Sequence, residues 1–461
     1  VSDKARPKRP ATRTAARATA TIPRLPAPLL TRHFAVDVID DVIKRQQPLD
    51  ERLEALDRVE QYRALAPSDR GFVRALAMGA VRGLGGLRKV LMGRLERGLP
   101  RTAGRLESIL HMGLAQLLVL EVPAHAAVDS TVSLLAADPH ARHFTALGNA
   151  VLRGVARERE AVKASLDPLA DNTPRLFADR WIAAYGEEAA RRMAAMHAVE
   201  AGIDISVKAD AAGWAERLGA VLLPTGTLRL AGRGAVQDLP GYAQGAWWVQ
   251  DAAAALPALL LGARPGERVL DLCAAPGGKT AQLCATGATV TALDRSAQRM
   301  QRLSENMARL GFSPDVVVAD AMTWEGPLQD AVLVDAPCSA TGTARRHPDV
   351  LWSRGLDDIL RLLPLQAKLL ERAAALVKPG GRLVYGVCSL EAEEGERQVE
   401  AFLARHTDFH RVPIHLDEVG GQADMVNGAG DLRTLPAHLP AEDVRLAGCD
   451  GFFASRLLRR E

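Results

Sequence analysis

Asp271-Leu272-Cys273-Ala274-Ala275-Pro276-Gly277-Gly278-Lys279-Thr280 joins the end of an apolar segment starting at Arg268 to a run that reads as the opening of a helix. Small residues and two glycines let backbone approach a ligand closely at such a turn. The loop lacks GxGxxG and lacks GxxxxGK[ST]. Neither a dinucleotide fingerprint nor a phosphate-cradling P-loop is therefore present.

Outward from this loop the chain alternates strand and helix. Apolar segments at Arg268–Ala275, Thr289–Asp294, Asp315–Asp320, Ala331–Pro337 and Arg382–Ser389 are separated by helical text. Such alternation predicts an α/β domain, a parallel sheet with helices on both faces. Ligands of these sheets bind beyond the carboxyl ends of the strands. Gly277, Gly278, Asp294, Asp320, Asp335, Cys338 and Cys388 all fall at such ends. Asp294 lies at the separation from Asp271 that lets a carboxylate meet ribose hydroxyls, and Asp320 could meet an adenine edge. No cluster of cations surrounds the loop, so a nucleoside without phosphates fits, and S-adenosyl-L-methionine is such a ligand. Lys279 stands out because only 9 of the 58 basic residues are lysine. A lysine behind the glycines suggests a need for a compact point charge.

The five cysteines form no CxxC pair and no zinc-finger spacing, so neither a disulfide framework nor a metal site is expected. That usage fits a reducing, cytoplasmic compartment. The longest near-continuous apolar run, Ala252 to Ala263, is well short of a membrane span. Residues 1–28 carry 7 basic and 1 acidic side chains without an apolar h-region, which reads as a disordered basic tail rather than a secretory signal. Residues 29–165 carry 20 basic and 16 acidic side chains, against 23 and 28 in residues 240–461. Affinity for a polyanion is thus expected from the first third, where Arg82, Arg88, Lys89, Arg94, Arg97, Arg101 and Arg105 cluster around the single acid Glu96. A solvated helical face is the other reading of that cluster.

That first third is helical. Leu106, Ile109, Leu110, Leu114, Leu117 and Leu118 recur at helical spacing and stop before Pro123, and Val128, Val132 and Leu135 start another amphipathic stretch. An all-α bundle follows. Residues 163–240 mix helical text, Pro174 to His197, with strand-like text at Ile203 to Val207 and Thr227 to Leu230, a small α+β connector. Pro240-Gly241-Tyr242 punctuates the entry to the last unit, 241–461.

Ser68-Asp69-Arg70-Gly71-Phe72-Val73, His111-Met112-Gly113-Leu114-Ala115-Gln116-Leu117, Val122-Pro123-Ala124-His125-Ala126-Ala127-Val128 and Gly148-Asn149-Ala150-Val151-Leu152-Arg153 together resemble the successive helices of NusB-type RNA-binding domains over 29–162. The glycine loop, with Asp335-Ala336-Pro337-Cys338-Ser339-Ala340-Thr341-Gly342 and Arg345-Arg346-His347-Pro348-Asp349, resembles RNA cytosine-5 methyltransferases of the Sun/Fmu/NSUN type. With the NusB-like front, the chain resembles the RsmB family of 16S rRNA cytosine-5 methyltransferases. Val249-Gln250-Asp251 and Asp450-Gly451-Phe452-Phe453 match too. Departures are Asp129 for the usual Asn, Ala253-Ala254-Ala255 for a more polar segment, Val387 before the cysteine and Ala340 for Gly.

The resemblance implies a multidomain protein: a NusB-like helical bundle, a connector, and a class I Rossmann-like methyltransferase domain. It implies that 5-methylcytosine is formed through a covalent adduct at carbon 6, with Cys388 as nucleophile and Cys338 assisting breakdown of the adduct. Residue spacing alone does not order the two cysteines. Asp335 would hydrogen-bond the pyrimidine or the cofactor with Lys279, and the backbone from Cys273 through Ala274, Ala275, Pro276, Gly277 and Gly278 would line the S-adenosyl-L-methionine site. Arg345, Arg346 and His347 are expected to grip RNA phosphates. Cys284 and Cys449 read as packed hydrophobes. The expected partner is RNA, chiefly 16S rRNA, with no membrane and no metal, and a monomer is favoured. A tRNA cytosine-5 methyltransferase and a non-catalytic RNA-binding or antitermination factor are the alternatives.

Overall fold

The computed structural model describes residues 25–100, 102–231 and 236–461, so most of the basic tail expected over 1–28 lies outside the described residues. The N-terminal bundle is organised around the helix Leu106–Leu118, on which every residue except Glu107 is buried. A helix apolar on all sides has to be surrounded. The helices Ala27–Arg45, Pro67–Arg82, Ala124–Ala137 and Thr145–Arg157 surround it. Close packing needs missing side chains: a Cβ at Gly148 would lie 2.3 Å from Leu135 Cδ1, and one at Gly113 would lie 2.8 Å from Thr131 Cγ2. Among the polar residues of this core, Gln116 is satisfied by accepting from Arg32 Nε at 3.0 Å and donating to Thr131 Oγ1 at 3.1 Å.

The connector opens with two helices, Arg175–Tyr185 and Glu187–His197. The sequence reads there as one helical stretch, but Gly186 adopts φ 84°, ψ 159°, a conformation open to glycine, and breaks it. Phe177, Trp181 and Met193 of this hairpin pack against Ala344, Leu351, Ile359 and Leu390 of the C-terminal domain. A small antiparallel sheet follows, made of β1 (Ile203–Val207), β2 (Val221–Leu222), β3 (Leu228–Leu230) and β4 (Trp247–Val249) in the order β2-β3-β1-β4. Its last strand lies beyond the expected boundary at 240. On β1 and β3, Asp204 and Arg229 face each other in register, both buried, with Nε–Oδ1 and Nη2–Oδ2 distances of 2.6 Å.

The C-terminal domain is built on β5 (Arg268–Leu272), β6 (Thr289–Asp294), β7 (Asp315–Val318), β8 (Gln329–Asp335), β9 (Val377–Val387), β10 (Phe409–Arg411), β11 (Leu432–Thr434) and β12 (Phe452–Arg459). The order is β10-β12-β9-β8-β5-β6-β7, with β11 also paired to β12. Strands β5 to β9 are parallel, as expected, and β10 to β12 add an antiparallel flank. The chain runs outward from β5 through β6 to β7 and returns to β8 on the other side of β5. In open parallel sheets such a reversal is where ligands bind. Four of the five predicted strands stop two or three residues early, at Leu272, Val318, Asp335 and Val387, so that the chemistry-bearing residues stand on loops above the sheet.

The Asp204–Arg229 pair joins the small sheet to the large domain, because Asp204 also accepts from Ala252 N at 2.9 Å and Arg229 donates to Leu446 O at 3.0 Å. Removing one member of such a pair strands a buried charge. Asp204→Ala is expected to cost about 3–5 kcal/mol in urea unfolding, and the double change Asp204→Leu, Arg229→Met should recover part of that loss.

Candidate active site

Above β5 the chain turns through Cys273 at φ 63° and Gly277 at φ 103°, and Gly277 caps the helix Gly278–Ala285. A Cβ at Gly277 would lie 2.9 Å from Leu303 Cγ on the helix Ala297–Leu310, so both dihedral and space demand glycine there. Asp271 lies at the base of this loop, fully buried. Burial pushes its carboxyl up to about 7, aided by Asp335 and Asp294 and opposed by the Thr280 hydroxyl, which donates to Oδ2 at 2.6 Å, and by Lys279. Its other oxygen has no hydrogen-bond partner among the described residues. The Cys273 thiol is pushed up to about 12 by burial and by Asp294, Asp335 and Asp271. Three carboxylates from three strands thus converge on one thiol.

Asp294 ends β6, accepts from Ser296 N at 2.9 Å and is approached by Arg299 Nη1 at 3.5 Å, while Arg299 also donates to Ala275 O. Asp320 stands apart, exposed and accepting from Met322 N at 2.9 Å. The cradle at Gly277, the orphaned oxygen of Asp271 and the strand-end carboxylate of Asp294 fit a nucleoside bearing a cationic group.

Next to this loop the two sulfurs meet. Cys338 follows β8, Cys388 follows β9, and their Sγ atoms are 3.5 Å apart. Gly342 N donates to Cys388 O at 3.2 Å and Gly451 N to Gly342 O at 2.8 Å; a Cβ on Gly342 would lie 1.8 Å from Gly451 O. Lys279 Nζ donates to Asp335 Oδ2 at 2.8 Å and sits 5.0 Å from the centroid of the Phe452 ring. Burial works against its charge, but Asp335 outweighs burial and the ammonium is held above its ordinary range. Arg346, paired with Asp450, is likewise held charged against burial, and both cations lie within electrostatic reach of Cys388. The Cys338 thiol is driven well above its ordinary value, first by its hydrogen bond with Cys388, then by burial, by the charge of Cys388 and by Glu394.

Glu394 is not singled out by the sequence. It is buried, and its carboxylate accepts from Ser339 N at 2.9 Å, Gln366 Nε2 at 3.0 Å, Ser389 Oγ at 2.6 Å and the Ser339 hydroxyl. The one available signal is that both cysteines are followed by serine.

Of the three basic residues, Arg345 departs from the expectation. Arg345 is not an RNA-gripping cation: it is buried, donates to Asp251 Oδ2 at 2.9 Å and Ala447 O at 3.0 Å, and its own carbonyl accepts from Arg82 of the helical bundle at 2.9 Å. His347 Nδ1 lies 2.6 Å from Asp50 Oδ2, also in the bundle. Of the arginine-rich cluster, Arg82 is buried in this junction, Arg88 pairs with Glu107, Lys89 with Asp171, Arg94 with Glu158, and Arg105 with Asp37 and Asp138. Most of that apparent polyanion patch is spent on internal partners. Ala340 has φ 59°, a left-handed conformation that the more usual glycine would adopt without strain. Cys449 is buried and Cys284 packs against the core, as read from the sequence. Among the described residues no helix is long and apolar enough to cross a membrane, and no cluster of His, Cys, Asp or Glu could hold a metal.

A NusB-type helical domain carried beside a Rossmann-like domain with a glycine loop and paired cysteines defines a methyltransferase of two joined modules. Residues 258–458 match the family model of the 16S rRNA methyltransferase RsmB/F, and residues 30–157 match that of the NusB family. Ribosomal RNA small subunit methyltransferase B of Xanthomonas campestris is 38% identical over 85% of this chain and 90% of its own length, and that of Vibrio vulnificus 34% over 81% and 91%. The crystal structure of PH0851 superposes with a TM-score of 0.72 at 23% identity, covering 94% of this chain and 99% of its own, which supports the fold. The chain belongs to the ribosomal RNA small subunit methyltransferase B family.

The raised Asp271 carboxyl has a sign that can be tested on cofactor-free protein. Between its ordinary value of 3.8 and about 7 the folded state holds a proton that the unfolded state has released, so stability falls as pH rises through that window and stays lower above it. Asp271→Asn removes the titration. Thermal unfolding should show wild type losing a few kcal/mol relative to the variant between pH 4 and pH 7, on the order set by a shift of this size; parallel curves would contradict the buried-carboxyl assignment.

Proposed function

We propose that this protein methylates carbon 5 of a cytosine in 16S rRNA, using S-adenosyl-L-methionine and a transient covalent bond from Cys388 to carbon 6. The observation that carries this reading is the 3.5 Å approach of Cys338 and Cys388 beside the Lys279–Asp335 pair at the rim next to the glycine loop. When bound, the cofactor supplies a methyl group on a sulfonium. The backbone of residues 273–278, with Asp271 and Asp294, would hold it, and Asp320 would be the more distant contact at the adenine edge.

Carbon 5 of cytosine is a poor nucleophile until a thiolate adds to carbon 6 and turns the ring into an enamine. Covalent catalysis thereby divides one difficult step into easier ones. An unperturbed thiol is only a few per cent ionised at pH 7, so the nucleophile needs nearby positive charge. Lys279 and Arg346 lie within electrostatic reach of Cys388, whereas Cys338 is disfavoured as an anion by its hydrogen bond with Cys388, by burial, by the charge of Cys388 and by Glu394. The asymmetry favours Cys388 as nucleophile. Once Cys388 has bonded carbon 6, its charge and its hydrogen bond no longer oppose ionisation of Cys338. Cys338 then becomes easier to ionise at the stage where the carbon 5 proton has to leave. Asp335, held by Lys279, would hydrogen-bond the polar edge of the pyrimidine. The base must be extruded or single-stranded to reach the sulfurs.

The names of the relatives support a small-subunit rRNA substrate. Mapping 5-methylcytosine in total RNA from cells with and without the protein tests this: loss of a 16S position is expected, and loss confined to tRNA would refute the rRNA assignment. On denaturing gels, Cys388→Ala is expected to abolish methylation with no protein–RNA adduct, and Cys338→Ala to accumulate one. The reverse pattern would exchange the two roles.

A further inference from the structure

We infer that Glu394 is a positioning residue that sets the gap between the two active-site sulfurs, an inference resting on the cysteine assignment above. The parallel ladder of β8 and β9 ends at the Asp335–Gly386 pair, followed by one bond from Ala336 N to Gly386 O at 2.9 Å. Cys338 and Cys388 lie beyond it, on loops joined further along by bonds from Gly342 N to Cys388 O at 3.2 Å and from Leu390 N to Thr341 Oγ1 at 3.0 Å. Ser339, directly after Cys338, and Ser389, directly after Cys388, both donate to the same carboxylate, and their hydroxyls are 3.2 Å apart.

Glu394 is itself anchored from three directions, Gln366 holding its carboxylate and the other two contacts its main chain. Gln366, on the helix Leu356–Ala375, donates to Glu394 and also to Pro337 O at 3.0 Å, in the peptide just before Cys338. Tyr385 on β9 donates its hydroxyl to Glu394 O at 2.7 Å, and Glu394 N donates to Glu391 O at 3.1 Å. Ser389 Oγ in addition accepts from Glu391 N at 3.0 Å. A carboxylate only accepts, with room for about four hydrogen bonds, and four donors reach this one. Glutamate therefore matches its surroundings, since two N–H groups and two hydroxyls from separate segments close on one buried side chain. Carbon 5 and carbon 6 are adjacent ring atoms, so the sulfurs that serve them must be held close together; displacement on the order of 1 Å can cost about 100-fold in rate.

Glu394→Ala removes the tie nearest the sulfurs and leaves the Gly342–Cys388 and Thr341–Leu390 bonds in place. Glu394→Gln keeps it in weaker form, because the amide oxygen can face the two N–H donors while its NH2 donates to serine hydroxyls that rotate to accept. The spacing is read without RNA by treating the full chain with diamide, an azo oxidant that takes up the two electrons and two protons released as an S–S bond joins Cys338 to Cys388. Peptide mapping by mass spectrometry then follows that one disulfide. Closing a 3.5 Å gap to about 2.0 Å needs little movement. Wild type and Glu394→Gln should cross-link within about threefold of each other, and Glu394→Ala about tenfold or more slower, with kcat for RNA methylation down about 100-fold and KM for RNA nearly unchanged. If Glu394→Ala does not fold, the Ser339→Ala, Ser389→Ala double variant carries the test with the same expected loss of cross-linking. Unchanged cross-linking and kcat in Glu394→Ala, or an equal fall in kcat for Ala and Gln with both cross-linking like wild type, would overturn the inference. Absence of methylation by wild type would reject the cytosine reading and leave the cross-linking comparison standing.

Discussion

Asp251 keeps a charge in the interior where three parts of the chain meet. Burial pushes its carboxyl up, but Arg345, Arg346, Arg229 and the Asp450 N–H outweigh that effect and hold it below the ordinary range. Its Oδ1 accepts from Ala253 N at 2.9 Å, capping the helix Ala252–Leu261, and from Asp450 N at 3.1 Å just before β12. Its Oδ2 takes Arg345 at 2.9 Å. Buried ion pairs of this kind contribute little net stability, since desolvation offsets the attraction, yet breaking one is costly. What such a pair fixes is geometry: an alternative docking of these segments would leave a bare charge in the core.

The path continues into the site and out to the helical domain. Arg345 is held by Asp251, which leaves its neighbour Arg346 against Asp450 and toward Cys388. Arg82 donates to Arg345 O, His347 meets Asp50, and Leu49 N donates to Asp349 Oδ2 at 3.1 Å. The segment 345–349, a few residues beyond Cys338, is thus the seat on which the helical bundle docks. Buried His197, near Arg345 and Arg82, is driven down to about 3 by burial and by those two cations, so it stays neutral where a third positive charge would be intolerable. An RNA held on the bundle would be registered to the sulfurs through a short, stiff route.

The rim of the large sheet is legible in sequence because parallel strands announce themselves as apolar runs and place their following residues at one edge. Asp294, Asp335 and the two cysteines are found that way and lie at that edge, while Lys279, at the same edge, is picked out by the scarcity of lysine. The antiparallel flank is not legible: β10 and β11 are three residues each, too short for a periodic signal, and β12 mixes arginines into a largely buried strand. Charge is the least reliable guide. Arg345 reads as a surface cation because its domain is net acidic, yet those same acids, Asp251 and Asp450, are what bury it and its neighbour. Likewise Arg88, Lys89, Arg94 and Arg105 find partners 19 to 82 residues away, which no local window shows. Glu394 is hidden for a related reason: its meaning lies in two serines brought together only when β8 and β9 are side by side.

On the proposed reaction, two chemically identical thiols must behave differently while sharing one pocket, and environment alone has to separate them. The neighbouring sulfur, burial and Glu394 bias Cys338 away from the anion, while the cations Lys279 and Arg346 lie within electrostatic reach of Cys388. At 3.5 Å a thiolate on one sulfur opposes ionisation of the other, so the pair holds at most one negative charge at a time. Consuming that charge in a carbon–sulfur bond releases the constraint on the second sulfur. The same proximity that prevents both groups from ionising at the start therefore orders their use in time, and it does so only while the gap between them is kept small.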